Sequence, residues 1–187
     1  MLSYTARAFA VGVRASRRPP IGPYDVVHQR HRAWPHVCDQ NGHINNAQFL
    51  TFMDWGRIEW LVRTGLWSTL GKDRVALVAG LGMTYLKEIR MFAAFDLRTQ
   101  VVGSDARWMY VSQEFRLAAD TPLAARGIVR VCVRGPSGII APADLFGVES
   151  PALPDDVAAW RDGEDAALRI LRGAPQNLSP AKNDGHR

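Results

Sequence analysis

The chain has 187 residues, of which 47% are hydrophobic and 22% charged, the balance of a soluble globular protein with room for one core and tails. Its net charge is +5, and the excess lies entirely in residues 1–32, where Arg7, Arg14, Arg17, Arg18, Arg30 and Arg32 are countered only by Asp25. The rest of the chain balances, which excludes a general basic surface for nucleic acid.

Residues 1–23 form a leading segment. Leu2, Ala6, Phe9 and Val13 share one face of a predicted helix, with Arg7, Arg14 and Arg18 on the other. Such a helix packs its apolar face on its own domain or rests weakly on a membrane surface. No apolar run approaches the roughly 18 residues needed to span a bilayer. Pro19-Pro20-Ile21-Gly22-Pro23 ends the helix and leads into a domain predicted over residues 24–150.

That domain opens with a strand over Tyr24–Trp34, stopped by Pro35. A polar loop follows, Asp39-Gln40-Asn41-Gly42-His43-Ile44-Asn45-Asn46, and then a helix from about Asn45 to Thr64, closed by Gly65. Phe49, Phe52, Met53, Gly56 and Trp60 line one stripe of that helix. A glycine there costs roughly 1 kcal/mol against alanine, which a close approach to a sheet would explain. Strands are predicted near Arg74–Val78, Met83–Ile89, Ala94–Val102, Arg107–Leu117 and Gly127–Arg134, with breaks that include Gly80 and Gly82. Residues 151–187 read as a helical patch, Val157–Leu171, and a polar tail.

The loop carries the chemistry. It places a carboxylate and an imidazole beside a helix N-terminus, where free N–H groups and the positive end of the dipole favour negative charge. Acyl transfer needs both parts, one to attack or to activate water and one to hold an oxyanion. The same residues also make ordinary structure: Asn45 or Asn46 caps a helix, and Asn41-Gly42 makes a turn.

Cys38 abuts Asp39, but a neighbouring carboxylate raises a thiol pKa and disfavours a thiol nucleophile. Two cysteines, Cys38 and Cys132, are too few for a disulfide framework and fit a reducing, cytoplasmic compartment. His28, His31, His36 and His43 lack the ligand spacing of a metal site, so neither metal nor cofactor is expected.

One strand, a long helix and then four or five antiparallel strands is the element order of the hotdog fold, an α+β class in which an antiparallel sheet wraps a central helix. The sequence resembles the 4-hydroxybenzoyl-CoA thioesterase branch of that superfamily, and within it the thioesterase-like group marked by D-x-N-G-H-x-N-N. Here that mark is Asp39 to Asn46, continued by Phe49, Met53-Asp54-Trp55-Gly56-Arg57, Tyr85-Leu86-Lys87-Glu88-Ile89 and Trp108-Met109-Tyr110.

The resemblance implies hydrolysis of a fatty or aromatic acyl-CoA thioester at the interface of a homodimer or tetramer. It places the loop aspartate on Asp39 and the carbonyl-polarising helix N–H on Asn46. His43 has no counterpart in the hydroxybenzoyl-CoA enzymes and would orient Asp39 or serve the leaving sulfur. A similar Asn-x-His-x-Asn-Asn run in plant acyl-ACP thioesterases leaves acyl carrier protein open as the thiol carrier. Asn45, Arg57 and Arg90 are candidate substrate contacts. Lys87 and Arg107 join Arg90 as candidates for CoA phosphates, and Asp54 with Arg57 also fits a plain helical ion pair. Rival readings are a non-catalytic acyl-binding protein on the same fold, and a dehydratase, whose chemistry needs an acid/base pair poised across the C2–C3 bond.

Overall fold

A computed structural model describes residues 4–71, 73–117 and 123–173. It contains helix α1 (Tyr4–Ser16), strand β1 (Val27–Arg32), a short 3-10 turn (Pro35–Val37), α2 (Asn46–Arg63), α3 (Leu66–Thr69), β2 (Val75–Tyr85), β3 (Ala94–Ser104), β4 (Met109–Arg116), β5 (Leu123–Gly135), β6 (Gly138–Ile140), α4 (Pro142–Phe146) and α5 (Asp155–Gly173). The chain up to Pro154 forms one compact unit, and the chain from Asp155 forms a second.

In the first unit an antiparallel sheet of order β1-β3-β4-β5-β2, with β6 paired to the end of β5, wraps α2. This is the expected hotdog arrangement. β3 alternates strictly, and its buried residues Phe95, Leu97, Thr99 and Val101 supply much of the face against which α2 packs. α2 answers with Phe49, Phe52, Met53, Trp55 and Trp60, all buried. Such period-2 and period-3.6 stripes are what bring a sheet and a helix together.

The close approach expected at Gly56 is present. A Cβ there would collide with Thr99 Oγ1 and lie 2.9 Å from Gln113 Nε2. Gln113 is fully buried and its amide donates to Met53 O at 2.8 Å and Thr99 Oγ1 at 2.9 Å. The absent side chain thus lets a polar bridge lie directly beneath the helix.

Two expectations from the sequence need correction. The runs Arg74–Val78 and Met83–Ile89 are not separate strands. The first run and Met83–Tyr85 of the second merge into the single 11-residue β2, which passes through Gly80 and Gly82 with a register shift between Val78 and Gly80, while residues 86–89 leave the strand. A glycine inside a strand marks a bulge as readily as an end.

The second concerns α1, which packs through the face opposite to the one its hydrophobic pattern suggests. Phe9 is 74% exposed, while Ala15 is buried. Arg7 and Arg18 point inward, and Arg18 pairs with the buried Glu59 of α2 at 2.7 Å. Glu59 also takes hydrogen bonds from Arg63 and Gln29. A buried carboxylate needs such partners, and this requirement outweighs the modest apolar stripe. Leu2 and the tail beyond Gly173 lie outside the described residues. No described helix is long and apolar enough to cross a membrane.

Below α1, His31 sits among Phe52, Phe95 and Trp55 at ring distances of 4.9, 5.5 and 6.0 Å. Burial pushes its pKa down to about 4; Arg14 adds to this, while Glu59 and Asp96 oppose it. The imidazole is therefore neutral in the folded protein at pH 7 and takes up a proton more readily once unfolded. Stability from this residue is complete above about pH 6.5, the ordinary histidine value, and is lost as pH falls towards 4. The loss is on the order of 3 kcal/mol. Denaturant titrations at pH 7 and pH 4 should show it in the wild type, and His31→Phe should flatten that part of the profile.

Candidate active site

The octet is a clamped turn at the N-terminus of α2. Gly42 N–H donates to Asp39 O at 3.1 Å, and Asp39 N–H donates to His43 O at 3.0 Å. Gly42 has φ +77, the left-handed conformation that favours glycine. Asp39 Oδ1 accepts from Asn41 N–H at 2.9 Å, an Asx turn that fixes the carboxylate. The β2–β3 connection holds this turn from the other side: Ile44 N–H donates to Ile89 O, Met91 N–H donates to Gly42 O, and His43 bridges Arg90.

The remaining oxygen, Asp39 Oδ2, lies 3.6 Å from His43 Nδ1. Their side chains are 17% and 30% exposed, so the pair is sheltered yet reachable. Asn45 is the N-cap, its amide oxygen accepting from Ala47 N–H at 2.9 Å. That contact occupies its oxygen in a structural role. Asn46 is the first helical residue, and helix geometry leaves its N–H without an intrahelical acceptor.

A groove of about 280 Å³ opens here, with Phe49, Tyr85 and Leu86 giving it an apolar side and His43, Asn46 and Lys87 a polar one. Tyr85 hydroxyl donates to Asn46 O at 3.3 Å, and its ring meets Phe49 edge-on. Asp39 is not in the groove wall. Its carboxylate stands beside His43, so His43 and Asn46 are the site residues that face the groove.

The other candidates lie apart. Arg57 sits in a separate, mostly apolar cavity between α2 and the sheet, ion-paired to Asp54 and donating to Gln113 Oε1 at 2.6 Å. Tyr4 hydroxyl also reaches Asp54, at 3.3 Å. The plain helical ion pair is therefore present, with a buried anchor added. Arg90 is not in the groove wall; it is exposed and paired with Glu88 at 2.6 Å. Arg107 stacks on Trp108, its guanidinium carbon 4.8 Å from the ring centroid.

Cys38 has its thiol pKa raised, first by burial and then by Asp39, which agrees with its dismissal as a nucleophile. Tyr85 was not legible as a groove residue. The sequence places it inside a strand over Met83–Ile89, whereas it ends β2, and the pairing of β2 with β5 brings it over the start of α2.

Fold and site together define a hotdog thioesterase-like protein. The Thioesterase-like superfamily profile matches residues 33–161, and the chain belongs to that family. Among curated relatives it is 30% identical to protein THEM6 of Xenopus laevis over 143 residues, covering 74% of this chain and 68% of the relative. It is 27% identical to the Danio rerio protein of the same name, covering 90% and 86%. Among solved structures, an acyl-CoA hydrolase from Staphylococcus aureus, determined with butyryl-CoA, CoA and CoA disulfide, superposes with TM-score 0.60 at 16% identity, covering 83% of this chain and 93% of that one. The probable thioesterase YbaW from Escherichia coli superposes with TM-score 0.57 at 15% identity, covering 64% and 97%.

Proposed function

We propose that the protein hydrolyses a fatty or aromatic acyl-CoA thioester to the free acid and CoA. The observation that carries this reading is the Asp39–His43 pair beside the first turn of α2, at the mouth of a groove with one apolar side. The acyl chain would lie along Phe49, Tyr85 and Leu86, with the thioester carbonyl oxygen at Asn46 N–H.

As base, Asp39 takes a proton from water, and the hydroxide so formed adds to the carbonyl carbon. The oxyanion is held by the helix N-terminus. Collapse of the tetrahedral intermediate breaks the C–S bond and releases thiolate, which takes the proton held by Asp39, passed on through His43, or one from solvent. As nucleophile, Asp39 would instead form an anhydride that water hydrolyses.

A second reading is favoured by the groove wall, which contains His43 but not Asp39. In it His43 takes the proton from water and Asp39 orients the imidazole.

Free-thiol release from a panel of short, long and aromatic acyl-CoAs, and from acyl carrier protein thioesters, tests the reaction. Turnover of at least one class is expected. Binding of acyl-CoA without release of thiol would instead establish an acyl-binding protein.

The functional unit in this reading is a homodimer. β2 pairs only with β5 among the described strands, so 11 residues present an unpaired edge. Val75, Leu77 and Val78 lie exposed along it, Val78 at 53%. A long edge with exposed apolar residues is a template for another strand. A second copy pairing there would extend the sheet, and Tyr85, at the end of this strand, would bring the groove to the seam. Val78→Lys is expected to shift the protein from dimer to monomer in sedimentation velocity and to lower thiol release with it. A wild-type monomer at micromolar concentration would remove this assembly.

A further inference from the structure

A second cavity, of about 630 Å³, lies between α1 and the start of the domain, within the range of cofactor and ligand pockets. Its walls differ in kind from those of the groove. They bear Arg7, Arg30 and Arg32 with Trp34, Trp55 and His36, and no carboxylate is among the lining residues.

Arg7 donates to His36 Nε2 at 2.9 Å and lies 5.8 Å from the Trp55 ring centroid. Arg32 lies 5.8 Å from the centroid of Trp34 and donates to Phe92 O at 2.7 Å. Trp34 is half exposed. The buried indole N–H of Trp55, in the same wall, has no hydrogen-bond partner among the described residues. Two carboxylates act on His31 in this wall, Glu59 and Asp96: Glu59 is held by Arg18, Arg63 and Gln29, and Asp96 stands opposite Arg30 in the sheet register.

The geometry points to a binding site for a phosphate ester carried on an aromatic ring, that is, for the nucleotide end of coenzyme A. Guanidinium groups match phosphate oxygens in a planar fork, and an exposed indole offers a face on which a purine stacks. The assignment to coenzyme A, rather than to a free nucleotide, rests on the thioesterase reading. Its support is chain continuity. His36 and Asp39 are three residues apart, so their Cα atoms lie within about 11 Å of each other, a span that a pantetheine arm can bridge. α1 is then more than a cover for α2, because Arg7 makes one wall of the substrate site.

Tryptophan fluorescence of the full chain, titrated with adenosine 3′,5′-bisphosphate, tests the site. Saturable quenching that coenzyme A competes for and that weakens with added salt is the expected result. Arg7→Glu and Arg32→Glu should each weaken binding about tenfold or more. Ala10→Trp, which fills the cavity from the α1 side, should do the same without a change of charge. Circular dichroism shows whether each variant is folded.

Equal binding by wild type and all three folded variants overturns the proposal, as does absence of binding at millimolar nucleotide. Inorganic phosphate or phosphatidylglycerol vesicles binding as tightly as the bisphosphate would overturn the nucleotide assignment. Thiol release without bisphosphate binding removes this site and leaves the thioesterase reading standing. Bisphosphate binding with no thiol release from any acyl-CoA does the reverse.

Discussion

Asp39→Asn is expected to lower acyl-CoA turnover by about 10²- to 10⁴-fold, the usual worth of a positioned general base, with little change in stability. The substitution separates the two jobs of this carboxylate. One oxygen accepts from Asn41 N–H and fixes the turn; an asparagine carbonyl can keep that bond. The other faces His43 at 3.6 Å, where an amide carries no charge to accept a proton or to orient an imidazole.

His43→Gln then distinguishes the two mechanisms. If Asp39 is the base or nucleophile, losing His43 should cost about tenfold, a positioning effect, and far less than losing Asp39. If His43 is the base, its loss should equal or exceed that of Asp39, because an orienting group contributes only through the group it orients. Thiol release under saturating and limiting substrate, with circular dichroism on each variant, gives the comparison. Turnover by Asp39→Asn equal to wild type would remove Asp39 from the mechanism in both roles.

The central helix and its cap could be read from the sequence because the signals are local. Asn45 caps the helix, Gly65 ends it with φ +77, and the stripe from Phe49 to Trp60 is buried. Composition within eight residues also located the octet. Pairing across the sheet was not legible in this way. β2 is one strand because β5 supplies a partner from Ala125 to Arg134, a contact some fifty residues away that overrides the breaking tendency of Gly80 and Gly82.

The orientation of α1 failed for a related reason. Its apolar stripe is real, but a buried glutamate 41 residues from Arg18 decides which face turns inward. The groove and the basic cavity escaped for the same cause. Each is assembled from segments far apart in sequence, Asn46 with Tyr85 and Arg7 with His36, and neither has a periodicity to betray it.

Gly56→Ala is expected to destabilise the protein, although the helix alone would gain. Alanine in a helix interior is better than glycine by about 1 kcal/mol. Against this, the new methyl group would meet Thr99 Oγ1 and Gln113 Nε2 at once. Overpacking of a filled core costs roughly 1–3 kcal/mol. The displaced side chains also belong to a buried bridge, Thr99–Gln113–Met53 O, and breaking it leaves buried polar groups unpaired at about 1–3 kcal/mol each. The collision therefore outweighs the propensity, by about 1–3 kcal/mol net.

Gly56→Val adds bulk and a β-branch and should cost more, lowering the thermal midpoint by roughly 2–4 °C per kcal/mol in a domain of this size. The double variant Gly56→Ala with Thr99→Gly opens space where the methyl lands and should recover part of the loss, so a thermal series on the three proteins separates steric conflict from a general effect on the helix. A Gly56→Ala protein as stable as wild type, or more so, would mean that helix and sheet can part slightly at no cost and that glycine is not required at their crossing.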